Sequence, residues 1–155
     1  TTIGVAMIDV DYFKDVNDQF GHNEGDRVLR SIADCCREQL RSYDLLARHG
    51  GDEFAAVFCA QTPEELNVPI ARLLSAVNEL TLHGNDGLRL SLSIGTAIAH
   101  PAAKDCSCMQ LVEAADACLY ESKNSGRDQA HVTTIVDGQP ARSRQIVATD
   151  RLQLV

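Results

Sequence analysis

Apolar residues recur along the chain at two different spacings, and these spacings predict its secondary structure. Compact or alternating apolar runs are typical of strands, whereas apolar residues three or four positions apart are typical of amphipathic helices. A Gly-Gly pair between two apolar runs also predicts a β-hairpin. Strands are therefore predicted at 3–9, 44–49, 53–60 and 88–99, a helical turn at 11–20, and longer helices at 24–41, 63–80 and 107–124.

The predicted order is strand, helix, hairpin, helix, strand, helix and a final strand. This order predicts an α/β fold with a mixed, mostly antiparallel central sheet flanked by helices. A polar segment at 84–87 predicts a turn. The pattern breaks after residue 136, so we expect one domain over 1–136 and a tail over 137–155. That tail is either an extra pair of strands or a linker.

Acidic residues stand at the ends of two predicted strands. Asp52 and Glu53 follow the Gly-Gly turn at the start of one strand, and Asp9 and Asp11 end the first apolar run. Carboxylates in such half-buried places are costly, and they usually bind a metal or take part in chemistry. Hard oxygen ligands from two strand ends therefore predict a magnesium site for nucleoside triphosphate chemistry.

The charge of the chain restricts the partners that it can bind. The 155 residues include 22 acids against 14 Lys and Arg, a formal net charge of -8. This balance argues against nucleic acid and anionic membranes as partners, whereas a nucleotide stays possible because a metal can supply positive charge locally. No apolar run approaches the ~20 residues that cross a bilayer.

The compartment is predicted from the start of the chain and from its cysteines. The chain opens directly on a strand pattern, which predicts no signal peptide. The six cysteines lack paired Cys-x-x-Cys spacing, which favours reduced thiols over a zinc site. We therefore expect a cytoplasmic protein, or a cytoplasmic domain of a larger one.

Two motifs together carry a family resemblance. The segments 48–54, Arg-His-Gly-Gly-Asp-Glu-Phe, and 9–22, which begins Asp-Val-Asp-Tyr-Phe-Lys, resemble the signatures of GGDEF domains, and further matches follow in order over about residues 3–131. The resemblance implies a fold related to class III nucleotide cyclases and polymerase palm domains. It also implies a homodimeric diguanylate cyclase that joins two GTP molecules into cyclic di-GMP and pyrophosphate. In the family a further helix usually precedes the segment with which this chain begins.

The resemblance assigns the acidic residues to metal binding and catalysis. It implies that Asp9, the carbonyl group of Val10, Asp52 and Glu53 hold Mg²⁺, with Mn²⁺ as a possible substitute. Asp52 and Glu53 are also the candidate catalytic acids, and the division between ligand and base stays open. Asp11 is either a further member of the site or a structural residue.

Cations near the two ends of the domain are assigned to the triphosphate. Lys14 is expected to act as a point charge on the terminal phosphates and to assist catalysis. Backbone amides of Phe13 and Lys14 are expected to donate to the phosphates from a helix start. Lys123 and Arg127 lie four residues apart near the end of the last helix, which predicts a shared face. The alternative for this pair is plain cations that stabilise a helix end.

The remaining assignments concern guanine and the product. Asn17 and Asp26 resemble the guanine-reading residues, which can pair with the base edge. Arg41 and Asp44 form an Arg-x-x-Asp at the offset of the family's inhibitory product site, and Arg72 falls where a second inhibitory arginine often lies. The alternative for Arg41 and Asp44 is an ordinary charged helix end. The alternative function is a catalytically weak or inactive module that binds GTP or cyclic di-GMP as a sensor or regulatory dock.

Overall fold

The computed structural model describes residues 1–82, 84, 87–100 and 106–148. The strands are β1 (Thr2–Val10), β2 (Leu45–Gly50), β3 (Glu53–Ala60), β4 (Leu92–Ala99), β5 (Gln129–Val136), β6 (Gln139–Pro140) and β7 (Arg144–Ile146). The helices are α1 (Phe13–Phe20), α2 (His22–Gln39), α3 (Asn67–Asn78) and α4 (Cys108–Asn124), and a 3₁₀ turn at Glu64–Leu66 precedes α3.

The strands form one sheet with β1 near its centre. Their order is β2-β3-β1-β4-β5-β6, and β7 also pairs with β5. β4 and β5 pair in parallel, whereas the other neighbours are antiparallel. This arrangement confirms the predicted mixed, mostly antiparallel sheet flanked by helices.

Helices cover both faces of the sheet because side chains alternate along each strand. Ala6 and Ile8 of β1 belong to the larger core, which contains the apolar stripes of α2 and α3. Val5 and Met7 of β1 point to the other side and pack with Leu111 of α4 and its apolar neighbours. The central strand is therefore buried on both sides.

Helix α4 lies directly on β4 because Gly95 has no side chain. A Cβ atom at Gly95 would stand 2.0 Å from the backbone nitrogen of Leu119 and 2.1 Å from the carbonyl oxygen of Ala115. Ser122, which is fully buried, donates a hydrogen bond to the carbonyl of Ile94 at 2.7 Å. These contacts fix the last turn of α4 against the sheet.

Some predicted boundaries differ from the observed ones. The strand predicted at 88–99 begins only at Leu92, although Leu90 is buried, so core packing alone accounts for the earlier part of the alternation. The helix predicted at 63–80 starts with the 3₁₀ turn, and Pro69 lies in the first turn of α3, where proline is tolerated. Part of the turn predicted at 84–87 and residues 149–155 of the tail lie outside the described residues, whereas β6 and β7 show that the described part of the tail contains two strands.

Candidate active site

The two acidic segments meet at one edge of the sheet. Antiparallel pairing of β1 and β3 puts Asp9 directly opposite Glu53. The amide of Val10 donates to the carbonyl oxygen of Asp52 at 3.1 Å, which extends this pairing into the turn. The end of the central strand and the start of its neighbour therefore deliver their carboxylates to the same place.

Asp9 is a buried carboxylate close to other charged groups. The residue is only 9% exposed, and its Oδ2 atom accepts a 2.7 Å hydrogen bond from the ammonium group of Lys123. Burial raises the pKa of Asp9 above its ordinary value, and the bond from Lys123 opposes this shift. The negative charges of Asp52 and Glu53 add to the upward shift of the Asp9 pKa. The site therefore concentrates negative charge that a cation would stabilise.

The Gly-Gly turn is held by an arginine that sequence reasoning did not assign. Arg48 donates from Nη2 and Nε to the carbonyl of Gly51 at 2.8 and 3.2 Å. The register of β2 and β3 shifts between Arg48 and Gly50, as in a β-bulge. Arg48 and this shift together set the turn from which Asp52 and Glu53 enter β3.

The donor set fits Mg²⁺ bound together with a nucleotide. Within the described ranges, no three His, Cys, Asp or Glu side chains stand close enough to hold a metal by themselves. Mg²⁺ usually takes one or two carboxylates and completes its shell with water and substrate phosphates. Asp9 and Glu53, opposite each other, supply such a pair.

Asp11 is a buried junction between three parts of the chain. Its carboxylate accepts hydrogen bonds from the hydroxyls of Ser91 and Ser93, both at 2.6 Å, and from the backbone amide of Asp128 at 3.0 Å. All of these contacts are internal, so the geometry supports the structural alternative for Asp11. Sequence reasoning did not find the two serines or Asp128, because they lie 80 or more positions from Asp11.

The candidate phosphate-binding groups lie around the acidic edge. Phe13, which is buried, and the exposed Lys14 begin α1, so their backbone amides belong to the free amides of a helix start. Tyr12 precedes them with a left-handed backbone, φ 55° and ψ 29°, a conformation that costs roughly 1–3 kcal/mol for a non-glycine residue. Tyr12 as a whole is 61% exposed.

The shared helical face predicted for Lys123 and Arg127 is wrong. Helix α4 ends at Asn124, so Arg127 does not share a helical face with Lys123. Gly126 has φ 114°, and the amide of Arg127 donates to the carbonyl of Ser122 at 3.0 Å. This is the bond of a Schellman-type helix end, which turns the chain back along the helix.

Asn17 and Asp26, the candidate guanine readers, lie on the first two helices. A Cβ atom at Gly25 would stand 1.9 Å from Oδ1 of Asn17, so the two helices touch beside Asp26. Asp26 lines a cleft of about 220 Å³ between α2 and the β2–β3 hairpin, whose walls include Leu29 and Phe54. Asp26 therefore stands at a cavity, whereas Asn17 lies at the helix contact next to it.

The Arg-x-x-Asp segment forms a tight, exposed turn. The carboxylate of Asp44 accepts from the backbone amides of Arg41 at 3.0 Å and Cys59 at 3.3 Å, which ties the turn to β3. The guanidinium of Arg41 donates to the hydroxyl of Tyr43 at 2.8 Å. Arg41 and Tyr43 line a small cleft of about 110 Å³, and Arg72 is exposed on α3, outside that lining. Asp44 thus has a structural role whatever Arg41 binds.

None of the described helices is long and apolar enough to cross a membrane.

Comparisons with known proteins agree with this geometry. Diguanylate cyclase DosC of Escherichia coli K12 is 37% identical over 136 residues, which are 85% of this chain and 28% of that protein. The solved GGDEF domain of DgcB from Caulobacter crescentus, in complex with c-di-GMP, superposes with a TM-score of 0.74 at 32% identity over 86% of this chain and 78% of that chain. Diguanylate cyclase SiaD of Pseudomonas aeruginosa, solved with its activator SiaC, gives a TM-score of 0.75 at 36% identity over 86% of this chain and 50% of that chain.

The chain thus spans less than a third of the length of DosC. The model of the family described as diguanylate cyclase, GGDEF domain, matches residues 1–129. The predicted resemblance is confirmed, and the chain belongs to the GGDEF domain family.

Proposed function

We propose that the chain condenses two GTP molecules into cyclic di-GMP and two pyrophosphates, with Mg²⁺, and that its product inhibits it. The observation that carries this proposal is the placement of Asp9 opposite Glu53, with Lys123 at 2.7 Å from Asp9. A carboxylate pair suited to a metal and an ammonium group suited to phosphate thus meet at one edge of the sheet. The names of DosC and SiaD, which describe diguanylate cyclases, support the same reaction.

The chemistry needs two nucleotides that face each other. The 3′-hydroxyl of each GTP attacks the α-phosphorus of the other, a P–O bond to pyrophosphate breaks, and each hydroxyl releases one proton. When bound, Mg²⁺ lowers the pKa of the attacking hydroxyl and offsets phosphate charge. Because the described fold has one Asp9–Glu53 pair, we propose that each protomer holds one GTP and that a two-fold homodimer completes the reaction.

The chain's own residues would position the nucleotide. Lys123, Lys14 and Arg127 would bind the triphosphate, together with the free amides at the start of α1. Asp26 would receive the guanine in the cleft between α2 and the hairpin, with Asn17 beside it. Asp52 or Glu53 would accept the proton of the attacking hydroxyl. Because GTP is its substrate, the chain would work in the cytoplasm.

Product inhibition would act through the turn at Arg41. This turn is anchored to β3 by Asp44, and β3 begins at the catalytic turn. Arginine can pair bidentately with the O6 and N7 atoms of guanine. The crystal structure of the DgcB domain contains c-di-GMP, which supports a product site on this fold.

Incubation of the full chain with GTP and Mg²⁺, followed by chromatographic separation and mass analysis of the products, tests the proposal. We expect cyclic di-GMP and pyrophosphate, and we expect Glu53→Gln to abolish both while its unfolding curve stays close to that of the wild type. Mn²⁺ in place of Mg²⁺ tests the metal preference. Tight GTP or cyclic di-GMP binding without turnover, in either metal, would overturn the cyclase and favour the sensor alternative.

A further inference from the structure

We propose that Tyr12 is a positioning residue of the triphosphate site, and that its aromatic ring holds the guanidinium of Arg127 in place for phosphate. This inference rests on the proposed function, and specifically on the assignment of Arg127 to the triphosphate. The Cζ atom of Arg127 lies 4.8 Å from the centre of the Tyr12 ring, within the range of a cation–π contact.

Both partners of this contact stand on backbone held in unusual conformations. Tyr12 has φ 55°, and Arg127 and Asp128 have φ 63° and 49°. Such values are uncommon for residues other than glycine. The end of β1 and the turn after α4 thus both have specific backbone conformations where the two residues meet, although these are far apart in the chain.

A single buried carboxylate fixes both sides of the contact. Asp11 is the neighbour of Tyr12 in the chain, and it accepts a hydrogen bond at 3.0 Å from the amide of Asp128, the neighbour of Arg127. Asp11 is 6% exposed and is also bound by two serine hydroxyls. The approach of the ring to the guanidinium is therefore built into the backbone rather than left to two mobile side chains.

The contact leaves the donors of Arg127 available. No hydrogen bond or ion pair joins its guanidinium to an acceptor within the described residues, whereas Lys123 is bound to Asp9. A ring face attracts the cation without using its N–H groups, which point outward in the guanidinium plane. Arginine binds phosphate best when its planar guanidinium group is already oriented, and Tyr12 supplies that orientation.

The experiment measures nucleotide binding in the absence of turnover. The full chain is titrated by calorimetry with 3′-deoxyguanosine triphosphate and Mg²⁺, because this nucleotide lacks the attacking hydroxyl. In parallel, the affinity for 3′-deoxyguanosine, which lacks phosphates, is measured by its competition with the triphosphate. We expect Tyr12→Leu to weaken triphosphate binding by roughly two- to five-fold, the range of an exposed cation–π contact, without affecting the nucleoside. Tyr12→Phe, which keeps the ring and the same backbone requirement, should bind like the wild type.

Two further variants separate positioning from a general effect. Tyr120, a tyrosine that is 69% exposed on α4, provides the control Tyr120→Leu, which should leave binding unchanged. Arg127→Ala should weaken triphosphate binding, and adding Tyr12→Leu to it should cause no further loss, because the ring acts through the guanidinium.

The possible results distinguish this inference from the proposed function. Two results would overturn the role of Tyr12 while Arg127 keeps its assignment. One is a wild-type triphosphate affinity in Tyr12→Leu, and the other is a double variant whose loss of affinity equals the product of the two single losses. Unchanged binding in Arg127→Ala would overturn the phosphate role of Arg127 and this inference with it. Failure of the wild-type chain to bind the triphosphate at all would instead contradict the proposed function.

Discussion

Gly95 should be among the residues least tolerant of substitution in this fold, and the structure gives the size of the effect. Gly95→Ala would place a Cβ atom 2.0 Å from the backbone of α4. Relief to an ordinary contact requires the helix to move outward by about 1.4 Å, since packed interiors cannot absorb such an overlap. The hydrogen bond from Ser122 to Ile94 would then lengthen from 2.7 Å to about 4 Å, beyond a hydrogen bond.

The free-energy cost follows from these movements. Overpacking costs roughly 1–3 kcal/mol. The buried Ser122 hydroxyl also contacts Nδ1 of His131 at 3.0 Å, so the loss of its bond to Ile94 costs roughly another 0.5–1.5 kcal/mol. The lower chain entropy of alanine in the unfolded state offsets about 0.5–1 kcal/mol. We therefore expect Gly95→Ala to lower the free energy of unfolding by about 0.5–4 kcal/mol, and to impair GTP turnover because Lys123 moves with the helix.

Urea unfolding followed by circular dichroism measures this free energy, and turnover is assayed on the folded fraction. Gly87→Ala is the matched control, because nothing lies within 4 Å of a Cβ atom built at Gly87. A change of less than about 0.5 kcal/mol in the unfolding free energy of Gly95→Ala, the range of ordinary surface substitutions, would show that α4 does not pack directly on β4 at Gly95.

Substitutions at Asp9, at the two candidate guanine readers and at Arg41 test the other assignments. Asp9→Asn should abolish cyclic di-GMP formation. In metal-free buffer its free energy of unfolding should also rise relative to that of the wild type as pH increases from below 3.8, because burial raises the pKa of Asp9 and the wild type loses stability when this buried carboxyl becomes charged. Parallel curves of unfolding free energy against pH would contradict this. Asn17→Ala and Asp26→Ala should each raise the KM for GTP and narrow the preference over ATP, by roughly 1–3 kcal/mol per guanine contact, and an unchanged ratio of GTP to ATP turnover in both variants would point to other guanine readers. Arg41→Ala should weaken cyclic di-GMP binding, measured by calorimetry with the active site empty, and relieve product inhibition without lowering the initial rate. Arg41→Lys should behave like Arg41→Ala, since lysine lacks the planar guanidinium group that can donate two parallel hydrogen bonds. Unaltered product affinity in Arg41→Ala would favour the alternative that this turn is an ordinary charged helix end.

The local signals of the sequence predicted much of the fold. The Gly-Gly turn between apolar runs predicted the β2–β3 hairpin, because this signal depends only on neighbouring residues. The boundary of β4 was less predictable, since Leu88 and Leu90 keep the alternation of a strand while the paired segment begins at Leu92. Burial fixes which residues are apolar, but strand pairing also needs a neighbouring backbone, which the pattern does not reveal.

The candidate site was predictable in its acids and less so in its supports. Asp9, Asp52 and Glu53 stood out because carboxylates at strand ends are costly without a function. The contact of Asp11 with Ser93 was not predictable, because these residues come together only through the order of strands in the sheet. The same limit applies to Tyr12, whose ring acquires a partner only once the turn after α4 is in place.

The position of β1 explains why the acids and the cations of this site come from different layers of the fold. As a central strand, β1 has a neighbour on each side, and Asp9 stands opposite Glu53 on β3 and Ser93 on β4. The sheet layer thus supplies the acidic edge. Lys123 reaches Asp9 from the helical layer because Gly95 lets α4 lie directly on β4. Substitutions that shift α4 on β4 should therefore weaken phosphate binding more than they displace Asp9 and Glu53, because backbone pairing of β1 and β3 holds these two residues independently of α4.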